Sequence, residues 1–309
     1  MGTLHAELVA RPVSRADFAR VAAAWLTNAR RMIFPELDPA DATEPEPSGA
    51  RPEPPSDDGP WGRPGTISMR LRVQHQAEAL GGTLTPYSAR TWRRTLAGLE
   101  RSYPFHLSLA MMPLGPDGRP ISAGPDAVVA VHRSHRDPRW TRFEAEAPGD
   151  LVAWARSPAA ERAWADFLRE QAVAADAQYG HLTDDANNGG TALERAIQGI
   201  MAEPPAVPRC RDVLRGYSWV TVCARPLAAR LGGAPALRAD TVFDEVTELP
   251  GGQVFLRATA ALEDYEGPAV RRAFEALAPV LLPGRPDAAL ASGLRARLVL
   301  DADAADYQQ

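Results

Sequence analysis

At 309 residues the chain is long enough for one large domain or two ordinary ones. Its 45% hydrophobic and 24% charged residues are those of a globular protein. A net charge of −5 argues against the basic footprint that nucleic acid or an anionic membrane surface requires. All 34 basic residues are arginine, a usage that codon bias in a high-GC genome accounts for. Cys210 and Cys223 are too few for a zinc site or a disulfide framework, and Cys223 reads as a small buried hydrophobe. Met1-Gly2-Thr3-Leu4-His5 lacks the basic region and apolar core of a signal peptide, and no stretch reaches the apolar length of a membrane span. A cytoplasmic location is the default expectation.

Ala6–Pro12 reads as a short strand. Ser14 then caps a helix, with Asp17 at the capping-box position. Phe18, Val21, Ala22, Trp25 and Leu26 make one apolar stripe on that helix, which should end near Arg31. Residues 36–64 are rich in Pro, Glu, Asp and Gly and hold few large apolar residues. Such a segment cannot bury enough surface to offset the entropy of ordering, so it reads as a disordered insertion. Alternation of Ile67, Met69, Leu71 and Val73 predicts a strand. Ser88 caps a second helix carrying Trp92, Leu96, Leu99 and Tyr103. Leu107–Met111, Val128–Val131 and Phe143–Ala147 predict further strands, with a turn at Pro116-Asp117-Gly118.

Ser157-Pro158 opens a third long helix with Trp164, Phe167, Leu168, Ala172 and Ala175 on its apolar face. It leads into Tyr179-Gly180-His181-Leu182-Thr183-Asp184-Asp185, a strand and its end, then a loop over Asn187–Gly190 and a helix over Leu193–Met201. Pro204, Pro205 and Pro208 form a stiff connector. Beyond it, Val242–Leu249 and Val254–Ala258 form a hairpin about Pro250-Gly251-Gly252, and Val270, Phe274, Leu277 and Leu281 stripe a helix. The alternating run Leu294, Ala296, Leu298, Leu300 closes the pattern. These elements predict an α+β fold, mostly antiparallel, with helices packed on one face. The expected organisation is an N-terminal subdomain over 1–203, a C-terminal one over 204–286, and a tail over 287–309.

No constellation specifies a reaction. His132 and His135, three apart at a strand end, point to opposite faces and lack further zinc ligands, so no metal or cofactor is assigned. Tyr179, His181, Asp184 and Asp185 form the most chemically varied cluster; His181 beside two carboxylates could do acid–base work, or the group could be a polar loop. No serine sits in a nucleophile elbow, and Leu231-Gly232-Gly233 is too short for a phosphate loop. Tyr217 and Trp219 alternate about Ser218 and would share one face of a strand, as core or as an aromatic contact surface.

The progression Arg215-Gly216-Tyr217-Ser218-Trp219-Val220-Thr221, Leu231-Gly232-Gly233, Leu237-Arg238-Ala239 resembles the C-terminal part of the immunity proteins of type VI secretion effectors. The likeness continues through Val246-Thr247-Glu248-Leu249 and Gln253–Ala258 to Ala276-Leu277-Ala278-Pro279. It includes the helix leading into Tyr179-Gly180-His181, and spans about Ala160–Leu282. The resemblance implies a non-enzymatic protein that neutralises a cognate toxin by binding it, and it brings no catalytic residue. Tyr179, His181, Asp184, Asp185, Tyr217 and Trp219 are the candidate partner-binding residues. The alternatives are an enzyme of unrecognised type using His181 with Asp184 or Asp185, and a non-catalytic interaction scaffold.

Overall fold

The computed structural model describes residues 3–34, 67–76, 83–116, 127–148, 157–185, 190–199, 204–291 and 297–308. In chain order the elements are β1 (Thr3–Ala10), α1 (Arg15–Met32), β2 (Ile67–Gln74), β3 (Thr83–Pro86), α2 (Ala89–Ser102), β4 (His106–Pro113), β5 (Ala127–Arg133), β6 (Thr141–Pro148) and α3 (Pro158–Ala175). There follow β7 (Tyr179–Thr183), α4 (Ala192–Gln198), β8 (Val220–Cys223), α5 (Arg225–Arg230), α6 (Gly233–Ala239), β9 (Glu245–Glu248), β10 (Val254–Arg257), α7 (Pro268–Leu277) and α8 (Ala288–Ala291). The fold is α+β, and the registered strand pairs are antiparallel. The insertion over 36–64, Asp117-Gly118 and Asn187–Gly189 lie outside the described residues.

The chain divides into two compact units, 13–132 and the combination of 1–12 with 133–309. In the first, β2, β3, β4 and β5 form a meander in the order β3-β2-β4-β5. The Ser14 hydroxyl caps α1 by accepting from the Asp17 amide, and the Asp17 carboxylate accepts from the Val13 amide. Ser88 and Thr91 form a reciprocal capping box on α2. These caps satisfy amides that the first turn leaves without partners. Tyr103 ends α2 in the left-handed region, at φ 39°, rather than extending its stripe. The Arg30 guanidinium lies about equally far from the Tyr87 and Trp92 rings, at 4.9 and 5.0 Å from their centroids.

In the second unit the strand order is β6-β1-β7-β8-β10-β9. β1 is interior to this sheet, paired with β6 along its whole length and with β7 from His5 to Val9. α3 packs on β1 and β7. Its Trp164, Phe167, Leu168 and Ala172 are fully buried; each large side chain contributes about 1.5–3 kcal/mol. Strands on both sides of the Pro204–Pro208 connector are neighbours, since β7 pairs with β8. Gly232, at φ 81°, lets α5 stop and α6 begin at once, a conformation an L side chain would resist. β9 is shorter than Val242–Leu249, because its pairing with β10 runs only from Glu245, opposite Arg257, to Glu248, opposite Val254. Its outer side is covered in part, because the Arg238 guanidinium donates to the Val246 carbonyl at 3.0 Å. Leu298 and Leu300 lie outside any strand.

Candidate functional site

Alternation along β1 places Leu4, Ala6 and Leu8 on one face and His5 and Glu7 on the other. Register sets Glu7 opposite Glu144 on β6 and His181 on β7, and His5 opposite Glu146 and Thr183. Three adjacent strands therefore carry ionisable side chains on a common face inside the protein: His5, Glu7 and His181 are essentially inaccessible.

Arg215 and Glu194 close over this face. Thr191 caps α4 through a capping box with Glu194, which fixes the carboxylate at the helix N-terminus. The Thr191 hydroxyl also donates to the Arg215 carbonyl at 3.0 Å. Arg215 then donates Nε and Nη2 to the two Glu194 oxygens at 2.8 and 2.9 Å, a bidentate pair, and Nη1 to Glu7. Arg142 reaches the other Glu7 oxygen from Nη2 and Nε at 3.2 and 3.3 Å, and also donates to Glu144. Two guanidiniums are thus threaded through three carboxylates. Burial opposes the charge on Arg215, but Glu194 and Glu7 outweigh it and hold its pKa well above the ordinary value. The same contest at Arg142, with Glu144 and Glu7 as partners, also ends in a raised pKa.

A row of hydrogen-bonded aromatic and imidazole side chains runs beside the ion pairs. The Arg215 guanidinium lies 4.9 Å from the Tyr179 ring centroid, a cation–π contact. The Tyr179 hydroxyl bonds His181 Nδ1 at 2.8 Å, and His181 Nε2 bonds His5 Nδ1 at 3.0 Å. His5 Nε2 makes no hydrogen bond; a Glu146 carboxylate oxygen lies 3.7 Å away. Burial, reinforced by His5, Arg215 and Arg142, holds His181 well below the ordinary histidine pKa. Burial raises Tyr179 well above the ordinary tyrosine value. It also pushes the Cys210 and Cys223 thiols up to about 12, where they are poor nucleophiles near neutral pH.

A second buried network gathers Asp184, Asp185 and Tyr217 around the segment that begins at Arg297. The Arg297 guanidinium faces both Asp184 oxygens at 3.0 and 3.1 Å and donates to the Leu262 and Tyr265 carbonyls. Its amide donates to Asp185 at 2.9 Å, and the Val299 amide donates to the Tyr217 hydroxyl at 2.8 Å. Burial raises the Asp185 pKa, against the bonds from Thr183 and the Arg297 amide.

All six candidate residues, Tyr179, His181, Asp184, Asp185, Tyr217 and Trp219, are buried. Tyr179 and His181 come together in one network; Asp184, Asp185 and Tyr217 come together in the other. Trp219 belongs to neither, its indole N–H donating to the Thr259 carbonyl at 2.9 Å. Sequence reasoning missed His5, Glu7, Arg142, Glu144, Glu194 and Arg297, and noted Arg215 only as part of a motif. One signal was available: in Leu4–Leu8 and Arg142–Glu146, polar residues recur at every second position. His132 pairs across the sheet with His106, their Nδ1 atoms 2.8 Å apart, while His135 is exposed beyond the strand.

The architecture is shared with a solved structure. The chain matches the Pseudomonas aeruginosa T6SS protein PA0821 over 99% of its own length and 81% of that chain, with a TM-score of 0.56 and 15% identity. At that identity the likeness is one of fold. No family model matches the chain, and no curated protein matches it. Among the described residues no helix is long and apolar enough to cross a membrane.

Proposed function

We propose that the chain is an immunity-type protein of a type VI secretion system, which neutralises a cognate toxin by binding it directly. The observation that carries this reading is the fold likeness, over nearly the whole chain, to a protein described as belonging to that system. The sequence resemblance of the region from Ala160 to Leu282 to immunity proteins points the same way. The net charge of −5 suits a basic partner, whose encounter it would accelerate.

In this reading the six candidate residues serve binding from within. Their side chains hold β7, the entry to β8 and the segment after Arg297 in place. The enzymatic alternative needs His181 to share a proton with Asp184 or Asp185. The hydrogen bonds of His181 go instead to Tyr179 and His5, and Asp184 is paired with Arg297. Both are buried groups with structural partners, the arrangement of a locked interior.

The test is co-expression with each toxin gene found beside this gene, scoring growth and co-purification. Rescue of growth together with a stable complex is expected for one of them. Neither rescue nor complex with any adjacent candidate would remove the proposal.

A further inference from the structure

We propose that His5, Glu7 and Glu144 bind one divalent transition-metal ion of the zinc class, with Glu146 as a fourth ligand from the solvent side. Three observations on the same face of the sheet lead there. The first is the donor set: one ring nitrogen and two carboxylate oxygens, one from each residue, lie within 4.8 Å of one another. Mixed imidazole and carboxylate ligands suit zinc and its neighbours in the first transition row.

The second is His5 Nε2. It is buried, with His5 only 1% exposed, and it makes no hydrogen bond. The other nitrogen of the same ring is held by His181, which is held in turn by Tyr179. Metal-bound histidines are typically oriented this way, by a hydrogen bond on the nitrogen that does not ligate. The Glu146 oxygen 3.7 Å from this nitrogen is too distant for a hydrogen bond, and a metal ion between them would serve both.

The third is charge. Among the described ion pairs, the three carboxylates of Glu7, Glu144 and Glu194 share the guanidiniums of Arg142 and Arg215, and Glu146 adds a further carboxylate at the rim. Each carboxylate oxygen has two lone pairs, so Glu7 can accept from a guanidinium and still ligate an ion. Ligands about 2.1 Å from a tetrahedral ion lie about 3.4 Å apart, so a pair at the 4.8 Å limit must close by about 1.4 Å. The Glu144 side chain is 15% exposed and Glu146 is 39% exposed, which marks the route of entry. Arg142 competes for Glu144 and lowers the affinity below that of a dedicated structural zinc site.

The experiment is calorimetric titration of the full chain with zinc chloride alone, repeated with cobalt chloride and visible absorption. One ion per chain is expected, with a dissociation constant on the order of 1 μM, and cobalt bands of tetrahedral intensity. His5→Gln and Glu144→Gln should each weaken binding by about 100-fold or more. His132→Ala, in the other histidine pair, should leave the stoichiometry unchanged. The proposal is overturned if the folded wild type takes up no zinc at about 1 mM, if Glu144→Gln binds as the wild type does, or if only His132→Ala abolishes binding. The first outcome would leave His5 Nε2 beside the Glu146 carboxylate with no metal ion between them. Should His5→Gln fail to fold, Glu144→Gln decides the matter, since its side chain reaches toward solvent.

Discussion

Replacing Arg215 by Met is the most direct challenge to the interior ion network. The side chain is fully buried and donates twice to Glu194 and once to Glu7. Removing it leaves two carboxylates facing each other without that cation, although Glu7 keeps Arg142. Breaking a buried pair from one side costs about 3–5 kcal/mol, because the remaining charge is stranded. The unit that holds Arg215 has about 190 residues, for which 1 kcal/mol moves the melting temperature by about 2–4 °C, so a fall of about 6–20 °C is expected. Urea titration of the wild type, Arg215→Met, Glu194→Gln and the double variant measures both the loss and the coupling. The double variant should be less damaged than the sum of the singles by at least about 1.5 kcal/mol. A loss under about 1 kcal/mol in Arg215→Met, or strict additivity, would refute the claim that these charges act as one unit.

Four further outcomes are expected. Acidification should destabilise the protein from about pH 6.5 downward through His181: its folded pKa is depressed by burial, so the unfolded chain takes up the proton first and stability falls with pH. Urea midpoints between neutrality and about pH 5 check this, and His181→Gln should flatten the slope, which for one proton reaches about 1.4 kcal/mol per pH unit; Asp185, with its raised pKa, acts with the opposite sign from 3.8 upward. Gly216→Ala should cost about 2–4 kcal/mol in the same denaturation assay, since a Cβ there meets the Thr191 Cβ and hydroxyl at 2.7 Å and dislodges the α4 cap. Gly98→Ala, inside α2 with no atom within 4 Å, should instead gain about 0.5–1 kcal/mol. Native protein should resist thiol reagents at mildly alkaline pH, because Cys210 and Cys223 are buried and shifted to about 12, while both should react in denaturant.

What was legible in the sequence was local. The stripe from Phe18 to Leu26 behind Ser14, and that from Trp164 to Ala175 behind Ser157-Pro158, both gave buried helix faces with side-chain caps. The Pro250-Gly251-Gly252 turn joined β9 to β10. Tyr217 and Trp219 alternate as a strand would, yet the strand begins only at Val220. The Thr221 hydroxyl accepts from the Ser218 amide at 3.1 Å, and that bond competes with the ladder. The candidate site was less legible, because its chemistry is made by register. Nothing near Glu7 announces Arg142 or Arg215, and starting the strand at Ala6 left His5 out of the pattern that would have exposed a polar face. A buried ion pair leaves no periodic trace in one strand unless its partner strands are read beside it.

The interior position of β1 also governs when the protein can finish folding. Glu7 waits for a partner 135 residues later and another 208 residues later, while the 13–132 unit emerges in between. At ordinary rates of synthesis, about 5–20 residues per second, on the order of ten to forty seconds separate Glu7 from Arg215. During that interval the inserted unit can form its own helices and meander, and β1 has nothing to pair with until β6 and then β7 emerge, both before Arg215. The arginine–glutamate network is therefore a late lock. Its loss should show mainly as faster unfolding, with the rate of folding little changed.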